Sequence, residues 1–484
     1  MALYFKYVII KLLKKGRDRV KTKEKSLFHF KPPHIIAFSF FIVVIIGAFL
    51  LNLPIASQNG KSIGFIDALF TSTSAVCVTG LVVVNTLYHW SLFGKIVILL
   101  LIQIGGLGFM SLFTIVLVFL GKKITLKERI LIQESFNLST FKGMVMFLKK
   151  IIKVTFIIEG IGAIILSLRF IPEYGFFGGV FRGIFHSVSA FCNAGFDILG
   201  ENSLVPYARD YTINITIMLL IILGGLGFTV LIDISKYTKY KIAKFRKKKV
   251  ELFTMTVHSK LALTMTCILI LLGAILTFVI EYNNPKTLSN FRFDEKILAS
   301  LFQSVTLRTA GFDAIGQADL SYGSKFLVII LMSIGGSPGG TAGGIKTVTI
   351  GVLALAVISV IKGKDCIIAF KRKISVSTIQ KALSIIMMMM TLIFIATIIL
   401  TMTEDGIGVK YEFIDLLYEV CSALGTVGLS TGVTPTLSFA GKIVIILCMF
   451  IGRLGPITIV LALSFRKPNK KNVIHYPEEK IIVG

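Results

Sequence analysis

The sequence predicts an all-α membrane protein with four parallel helix–re-entrant pore loop–helix repeats around a pseudo-four-fold central pore and eight transmembrane helices. Three observations carry this prediction. Apolar runs close to the ~20 residues that span a bilayer recur along the chain. One glycine-containing stretch recurs four times at an even spacing, and basic residues are concentrated in alternate loops. The charged content of 16% is also far below the about 25% typical of soluble domains.

The apolar runs define the predicted crossings, because each repeat begins with one run and ends with another. Between the two lies an apolar stretch of only about twelve residues, too short to cross a bilayer, which must therefore enter and return. Re-entrant backbone is tolerated only where protein or a water-filled path surrounds it. The paired runs are 35–53 with 96–120, 151–170 with 213–232, 261–280 with 326–361 and 383–402 with 443–465, and the short stretches are 65–76, 181–191, 296–306 and 413–423.

A glycine followed by Leu or Phe comes four or five residues after the end of each short stretch. Gly80, Gly195, Gly311 and Gly428 are 115, 116 and 117 residues apart. Four like loops around an axis can present backbone carbonyls that replace the water shell of a monovalent cation. Aiming successive carbonyls the same way requires positive φ, which glycine adopts without a Cβ penalty. Ordinary turn glycines, the alternative, require neither the preceding short helix nor the four-fold recurrence.

The predicted ion-binding residues form four glycine segments, one in each repeat. Their carbonyls are expected to make a selectivity filter for a monovalent cation at the C-terminal, partly negative ends of the short helices. The residues are Val76, Cys77, Val78, Thr79 and Gly80 in the first segment, Cys192, Asn193, Ala194 and Gly195 in the second, Arg308, Thr309, Ala310 and Gly311 in the third, and Gly425, Thr426, Val427 and Gly428 in the fourth.

The returning runs carry a second glycine motif. Gly105-Gly106 and Gly224-Gly225 indicate close helix packing through small residues. The third copy has too many glycines, and a proline, to stay helical, which predicts either a mobile gate below the filter or a static packing break. Arg453 lies at a costly depth in the fourth copy and marks function. Its expected role is to pair with a carboxylate, to pair with the loop of the third copy, or to place a positive barrier below the filter. The predicted gate residues are Gly335, Gly336, Ser337, Pro338, Gly339, Gly340, Thr341, Ala342, Gly343, Gly344 and Arg453.

Charge distribution predicts the orientation. The segments 54–94, 172–210, 281–324 and 403–441 hold 15 of the 25 acids but only 8 of the 52 bases. Basic loops stay cytoplasmic, so both termini are predicted inside and the glycine segments in the outer half of a multi-pass plasma-membrane protein. The net charge of +27 is therefore explained by topology and by attraction to anionic lipid at the inner face, and nucleic acid is not an expected partner.

Predicted boundaries follow from the repeats and the basic runs. They are a basic N-terminal arm at 1–33, repeat 1 at 34–122, repeat 2 at 123–235, a basic cytoplasmic loop at 236–260, repeat 3 at 261–373 with its intramembrane loop at 335–344, repeat 4 at 374–465 and a cytoplasmic tail at 466–484.

Several single residues carry weaker signals. Asp67 and Asp415 stand at the same offset near the starts of their short helices, where the second copy has Arg182. Asp197 and Asp313 follow their glycines by two residues and either attract cations to the outer mouth or are ordinary solvated carboxylates. Glu159 lies within a span, with a basic residue of a neighbouring helix as its simplest partner. The six cysteines are predicted to be small buried hydrophobic residues, and the histidines form no catalytic or metal-binding motif, so no enzyme activity is expected.

Five motifs together give a specific resemblance. They are IDALFTSTSAVCVTGL at 66–81, IQIGGLGF at 102–109, HSVSAFCNAGF at 186–196, GGSPGGTAGGIKT at 335–347 and GRLGP at 452–456. The chain from 33 to 464 resembles the Trk/Ktr/HKT superfamily of potassium transporters, and within it the KtrB-type membrane subunits.

This resemblance implies uptake of K⁺, assisted in many members by Na⁺, which is the second candidate ion. It maps the four glycines onto the filter, residues 335–344 onto the gating loop and Arg453 onto the arginine that faces it. It further implies a homodimer with one pore per subunit, and a KtrA-like cytosolic ring of nucleotide- and NAD-binding subunits.

Overall fold

The computed structural model describes residues 32–108, 144–246, 253–364, 366–405 and 411–463. The N-terminal arm, the distal part of the first returning run and the C-terminal tail lie outside these residues. The described chain is mostly helical, as predicted. Its helices are α1 (Pro32–Leu51), α2 (Phe65–Cys77), α3 (Leu92–Leu107), α4 (Met144–Cys192), α5 (Tyr211–Gly225), α6 (Phe228–Phe245), α7 (Val257–Glu281), α8 (Phe293–Thr306), α9 (Tyr322–Ser333), α10 (Thr347–Ile361), α11 (Val376–Glu404), α12 (Phe413–Gly425), α13 (Phe439–Leu454) and α14 (Pro456–Leu463).

Strand is confined, in the described part of the chain, to one small hairpin on the loop between α10 and α11. Its two antiparallel strands are β1 (Ile368–Ala369) and β2 (Arg372–Lys373). A one-turn helix at Thr86–His89 precedes α3.

Four of the described helices are long and apolar enough to cross a membrane, namely α1, α4, α7 and α11. The long helix α4 is interrupted at Gly175, where φ is +72°, so its second part is a separate short helix that ends at Cys192. The pair α5 and α6, bent by 103°, makes a fifth candidate. The eight predicted crossings stay a prediction, because each returning run ends or breaks at its glycine motif.

Each returning helix begins at a side-chain N-cap. Ser91, Asp210, Ser321 and Ser438 accept a hydrogen bond from the backbone N–H three residues later, at 3.2, 3.0, 3.3 and 2.9 Å. Such a cap satisfies one of the unpaired N–H groups at a helix start and contributes about 1 kcal/mol. These caps fix where α3, α5, α9 and α13 begin.

Serine hydroxyls join the short helices to the long helices that precede them. Ser72 donates to the Val44 carbonyl at 2.7 Å, Ser187 to the Glu159 carbonyl at 2.6 Å, and Ser304 to the Ile270 carbonyl at 2.7 Å. Three residues after each acceptor carbonyl the long helix has a glycine whose added Cβ would strike that serine. The glycines are Gly47, Gly162 and Gly273.

We expect Gly162→Ala to lower the unfolding temperature, because the new Cβ would lie 2.6 Å from Ser187 Oγ. The same exchange at Gly160, two residues earlier in the same helix, meets no atom within 4 Å and has no steric reason to destabilise. The rearrangement that relieves the clash in Gly162→Ala should lower the free energy of unfolding by about 1–3 kcal/mol. Thermal unfolding of the two variants in detergent measures the difference, and equal shifts would contradict the packing argument.

The glycine motifs of the returning helices make the predicted close contacts. An added Cβ on Gly105, Gly224 or Gly452 would collide with the carbonyl oxygen of Val76, Phe191 or Leu424, respectively. These carbonyls belong to residues at the ends of the short helices. The motifs therefore let each returning helix approach the backbone beside a glycine segment.

The structure differs from the sequence prediction in where the returning helices break. A break was expected only in the third copy, between α9 and α10. The chain also turns at Gly227 between α5 and α6 and at Gly455 between α13 and α14, where φ is +89° and +83°. Gly108 ends α3 at φ +80°. In these three motifs the last glycine, three residues after the first, supplies this turn, a role that the packing interpretation overlooked.

Candidate functional site

The four repeated glycines lie around one common centre. An added Cβ on Gly80 would lie 2.5 Å from the Ala194 carbonyl oxygen, and one on Gly195 would lie 2.7 Å from the Ala310 carbonyl oxygen. The same addition on Gly311 would strike the Val427 carbonyl, and on Gly428 the Thr79 carbonyl, which closes the circle. We call this arrangement the glycine ring. Each glycine faces the carbonyl that precedes the next one.

A second left-handed residue precedes each glycine of the ring by two positions. Val78, Asn193, Thr309 and Thr426 have φ of +56°, +59°, +72° and +51°. Left-handed backbone is costly for a β-branched residue such as valine or threonine, and such strain clusters at functional sites. The sequence analysis assigned positive φ to the glycines alone. The non-glycine positions were missed because valine and threonine disfavour this conformation, and asparagine, which tolerates it, stands at only one of the four positions.

The backbone N–H groups of the glycine segments point back to the short helices. Thr79, Ala194 and Val427 each donate at 2.8 Å to a serine carbonyl in the last turns of the preceding helix, and Ala310 donates at 2.9 Å to Thr306. The carbonyl oxygens of these four residues accept no hydrogen bond from the residues that the structure describes. Each of these oxygens, free of donors in the described chain, lies beside a glycine of the neighbouring segment.

Hydroxyl groups near the ends of the short helices form hydrogen bonds with the ring glycines or with the residues that follow them. Gly80 N donates to Ser74 Oγ at 3.0 Å, and Gly428 N donates to Ser422 Oγ at 3.1 Å. In the other two segments a hydroxyl donates instead to the residue after the glycine: Ser189 to Phe196 O at 2.7 Å, and Thr306 to Phe312 O at 2.8 Å. The small residues near the ends of these helices therefore position the ring.

Most of the predicted ion-binding residues lie on this ring or on the helix ends beside it. Val76, Cys77, Cys192 and Gly425 are the last residues of their short helices and are buried. The side chain of Arg308 is the exception, because it points away from the ring. It is buried and donates to Thr266 Oγ1 of α7 at 3.3 Å. Only the backbone of Arg308 belongs to the glycine segment.

A cavity of about 140 Å³ opens directly on the glycine ring, and all four glycines line it. Asp197 and Asp313 line it too, as the cation-attracting alternative requires. Burial raises the pKa of Asp197 to about 6 and also raises the pKa of Asp313. The Asp313 carboxylate accepts hydrogen bonds from the backbone N–H groups of Ile315, Gly316 and Gln317 at 3.0–3.2 Å, so it is not an ordinary solvated carboxylate.

The glycine-rich loop (residues 335–344) leaves and rejoins its helices at one point. Gly335 N donates to Ile345 O at 2.9 Å, and Ile345 N donates to Ser333 O at 3.2 Å, as in a short parallel bridge. Ser337 Oγ and Thr347 Oγ1 lie 2.8 Å apart across the same point. The predicted helix break is therefore present, and it forms a closed loop instead of an open gap.

The glycine-rich loop lies in the break between α5 and α6. Ser337 N donates to Gly225 O at 2.8 Å, and Thr341 N to Gly224 O at 3.3 Å. In return, Phe228 N donates to Gly339 O at 3.0 Å. The turn at Gly227 and the loop thus satisfy each other's backbone groups, which buried polar groups require.

The same loop touches three glycine segments. Thr341 Oγ1 donates to Phe191 O at 3.2 Å, next to Cys192. An added Cβ on Gly335 would lie 3.2 Å from Thr309 Cγ2, and one on Gly343 would collide with Thr426 Oγ1. Ser337 and Thr341 are fully buried. The loop is packed against the threonine side chains of two glycine segments and against the helix end that precedes a third.

Two cations hold the glycine-rich loop. Arg453 donates from its guanidinium to the Thr341 carbonyl and to the Gly105 carbonyl of α3. Lys346 Nζ donates to Ala342 O at 2.7 Å and to Gly343 O at 3.2 Å. Of the partners expected for Arg453, the loop is the one observed. No carboxylate pairs with Arg453 in the described ranges.

The acidic residues near the short-helix starts make ion pairs across the repeats. Asp67 Oδ1 lies 2.6 Å from Lys442 Nζ on α13, and Asp415 Oδ1 lies 2.8 Å from Lys325 Nζ on α9. The first pair joins residues 375 positions apart and so links the beginning of the described chain to its end. These partners were not identified from the sequence, although Lys442 and Lys325 both stand four residues after an N-cap serine.

We expect Asp67→Asn and Lys442→Met each to lower the unfolding temperature, and a double-mutant cycle to give a coupling of ~1 kcal/mol, because the pair is partly buried and short. The exposed pair Lys286–Asp319, at 3.9 Å, provides the control, and Asp319→Asn should change stability little. Thermal unfolding in detergent measures both. A coupling of zero between Asp67 and Lys442 would contradict this prediction.

The prediction that Glu159 pairs with a basic residue of a neighbouring helix is wrong. Its carboxylate accepts two hydrogen bonds from Gln103 Nε2, both at 3.2 Å, and lies 3.8 Å from Cys192 Sγ. No basic side chain pairs with it among the residues that the structure describes. Sequence spacing gave no signal for this contact, because 56 residues separate Gln103 from Glu159.

A second buried network was also missed. Gln303 and Gln317 exchange amide hydrogen bonds at 2.7 and 3.2 Å, and Tyr418 Oη donates to Gln317 Oε1 at 2.9 Å. Gln317 also donates to Asp313 at 2.6 Å. This network joins α8 to α12 behind the cavity that opens on the glycine ring.

The cysteine prediction holds for four residues and is wrong for two. Cys77, Cys192, Cys421 and Cys448 are buried, whereas Cys267 is exposed and Cys366 is half-buried. The described residues contain no group of three or more His, Cys, Asp or Glu side chains that could hold a metal ion.

Comparison with known proteins identifies the family. The family model described as TrkH, cation transport protein, matches residues 1–474. The chain belongs to this family. It is 42% identical over 464 residues to the Ktr system potassium uptake protein B of Bacillus subtilis, which covers 96% of this chain and 99% of that protein. It is 41% identical over 465 residues to the potassium/sodium uptake protein NtpJ of Enterococcus hirae, with the same coverage.

A solved structure of a TrkH protein has the same fold as this chain. The crystal structure of the potassium transporter TrkH from Vibrio parahaemolyticus matches with a TM-score of 0.70 over 92% of this chain and 86% of that chain. The identity of 18% limits this match to the fold. The predicted resemblance is therefore confirmed, and the family consists of transport proteins and not of enzymes.

Proposed function

We propose that the chain mediates potassium uptake across the plasma membrane through a single-chain pore. In this proposal, four parallel repeats with eight transmembrane helices surround a pseudo-four-fold axis, and the glycine ring is the selectivity filter. The glycine-rich loop is its gate. The curated relatives named as potassium uptake proteins support K⁺ as the transported ion.

The observation that carries the proposal is the glycine ring with its free carbonyl oxygens. Carbonyl oxygens of this kind replace the hydration shell of a monovalent cation. Thr79 Oγ1 and Thr426 Oγ1 are also buried without a hydrogen-bond partner in the described chain. Oxygen ligands without donors are what a bare cation requires, and the helix C-termini beside the ring add partial negative charge. The acidic cavity would be the outer mouth.

The position of the glycine-rich loop supports a gate. It is packed against three glycine segments and lacks helical or sheet structure. Its polar contacts are backbone hydrogen bonds, the hydroxyl hydrogen bonds of Ser337 and Thr341, and those from Arg453 and Lys346, all of which can release without unfolding a helix.

The inner face is the proposed docking side for a regulatory subunit. The helix α6 leaves α5 at 103° and carries Lys236, Lys239, Lys241 and Lys244. A basic helix in this orientation suits anionic lipid at the membrane surface. We also propose a homodimer, with both termini cytoplasmic, and a cytosolic KtrA-like nucleotide-binding ring on this basic face.

Uptake of radioactive rubidium into proteoliposomes that contain the purified chain tests the function. We expect uptake that K⁺ suppresses at much lower concentration than Na⁺. Absence of rubidium uptake, with the protein folded and inserted, would refute the transport proposal. The alternative is a Na⁺-permeable or Na⁺-coupled transporter of the same fold, which the name of the NtpJ relative favours. Equal suppression by both ions, or uptake only with Na⁺ present, would select it.

A further inference from the structure

A set of basic and acidic side chains occupies equivalent positions where neighbouring quarters of the chain meet. Lys95, Lys325 and Lys442 each stand four residues after the serine that caps a returning helix. The last two pair with Asp415 and Asp67, each thirteen residues before a ring glycine. At the position thirteen residues before Gly195, the chain has Arg182. The first lysine therefore faces a cation instead of an acid.

Among the residues that the structure describes, Lys95 and Arg182 have no counter-charge. Lys95 makes no ion pair or side-chain hydrogen bond with the described residues, and the charge of Arg182 acts on it repulsively. Arg182 donates one long hydrogen bond, at 3.5 Å, to Gly178 O, and its buried Nε has no partner in the described chain. Its guanidinium carbon lies 3.8 Å from the centre of the Tyr174 ring, which holds the group in place. Two adjacent, partly buried cations without an anion are unfavourable as they stand.

The surroundings of this pair are apolar and open. Phe176 and Phe177, just after the break in α4, are 65% and 87% exposed. Leu92, in the first turn of α3 next to Lys95, is 62% exposed. In a membrane protein such exposed apolar side chains face the lipid acyl chains. An anion bound here would therefore have acyl chains beside it.

We propose that Lys95 and Arg182 bind the phosphate of an anionic phospholipid in the outer leaflet, where the other interfaces have an aspartate. Arginine suits phosphate because its planar N–H groups match the phosphate oxygens, and lysine adds a second charge. The aromatic side chains of Phe176 and Phe177 contact the acyl chains. The assignment to the outer leaflet rests on the orientation given under Proposed function.

Native mass spectrometry of the purified full chain in detergent, titrated with phosphatidylglycerol or phosphatidylcholine, tests this site. We expect tighter retention of phosphatidylglycerol by the wild type, and a loss of at least about tenfold in Arg182→Asp and in Lys95→Met, since each removes a charge-assisted contact. Arg182→Asp should keep the unfolding temperature of the wild type, because the new aspartate would stand opposite Lys95 as Asp415 and Asp67 stand opposite Lys325 and Lys442. Lys286→Gln, which removes an exposed basic residue of the predicted outer segments, is the matched control and should bind as the wild type does.

Two results would overturn the proposal. One is unchanged phosphatidylglycerol retention in both variants. The other is an equal thermal stabilisation of the wild type by inorganic phosphate and by phosphatidylglycerol, because that would identify a free anion as the ligand. Since the readout involves no ion flux, a failure here leaves the transport proposal intact, and a failure of rubidium uptake leaves lipid binding measurable.

Discussion

Replacing Gly80 by serine should reduce the preference for K⁺ over Na⁺ by about tenfold or more. The new Cβ would lie 2.5 Å from the Ala194 carbonyl oxygen and 3.2 Å from the Gly195 Cα, so one of these groups must move. A displaced carbonyl leaves the ion short of a ligand, at a cost of ~1–3 kcal/mol that differs between ions of different size. Competition of K⁺ and Na⁺ against rubidium uptake in proteoliposomes measures the ratio. Gly311→Ser, which would strike the Val427 carbonyl, should act in the same way.

Gly432→Ser is the matched control for this experiment. Gly432 has the same φ as Gly80, +97°, and lies four residues beyond Gly428, but an added Cβ meets no atom within 4 Å. The two serines therefore impose similar backbone strain, and only the one at Gly80 intrudes on the ring. An unchanged ion preference in both Gly80→Ser and Gly311→Ser, or an equal loss in Gly432→Ser, would contradict the filter assignment.

The repeat in the sequence was sufficient to predict where the ring residues lie. Glycines at intervals of 115–117 residues, each after a short apolar stretch, predict four equivalent loops, and those glycines meet at one centre in the structure. The left-handed conformation of Val78 was not predictable from the sequence. It is imposed by the tertiary contacts at the end of α2, and valine itself disfavours it.

Contacts between distant polar residues were the other limit of the sequence analysis. Asp67 was noticed for its offset in the repeat, but its partner Lys442 is 375 residues away. Arg182 had no explanation until the structure placed it opposite Lys95 at a position equivalent to the two lysine–aspartate pairs. Periodicity identifies equivalent positions within repeats, whereas the pairing depends on how neighbouring repeats pack.

Deleting residues 337–343 should raise the rate of rubidium uptake on the order of tenfold. The deletion removes the part of the glycine-rich loop that contacts Phe191 and Thr426, and with it the proposed obstruction. The chain can be rejoined there because an added Cβ on Gly344 would lie only 3.2 Å from Gly335 N, and Gly335 N already donates to Ile345 O. Gly336 and Gly344 remain as flexible joints.

Arg453→Gln separates gating from a general loosening of the structure. It removes the guanidinium hydrogen bonds to the Thr341 carbonyl and to the Gly105 carbonyl of α3 but leaves every loop residue in place, so it should raise uptake in the same direction and by less. In both variants the ratio of K⁺ to Na⁺ preference should stay at the wild-type value, since the ring is untouched. Because a packing break that never moves has no reason to limit the rate, unchanged or slower uptake in folded protein would assign the loop a static role. A rise in uptake with lost ion preference would instead mean that the loop supports the ring, and that its contacts with Thr309 and Thr426 are structural.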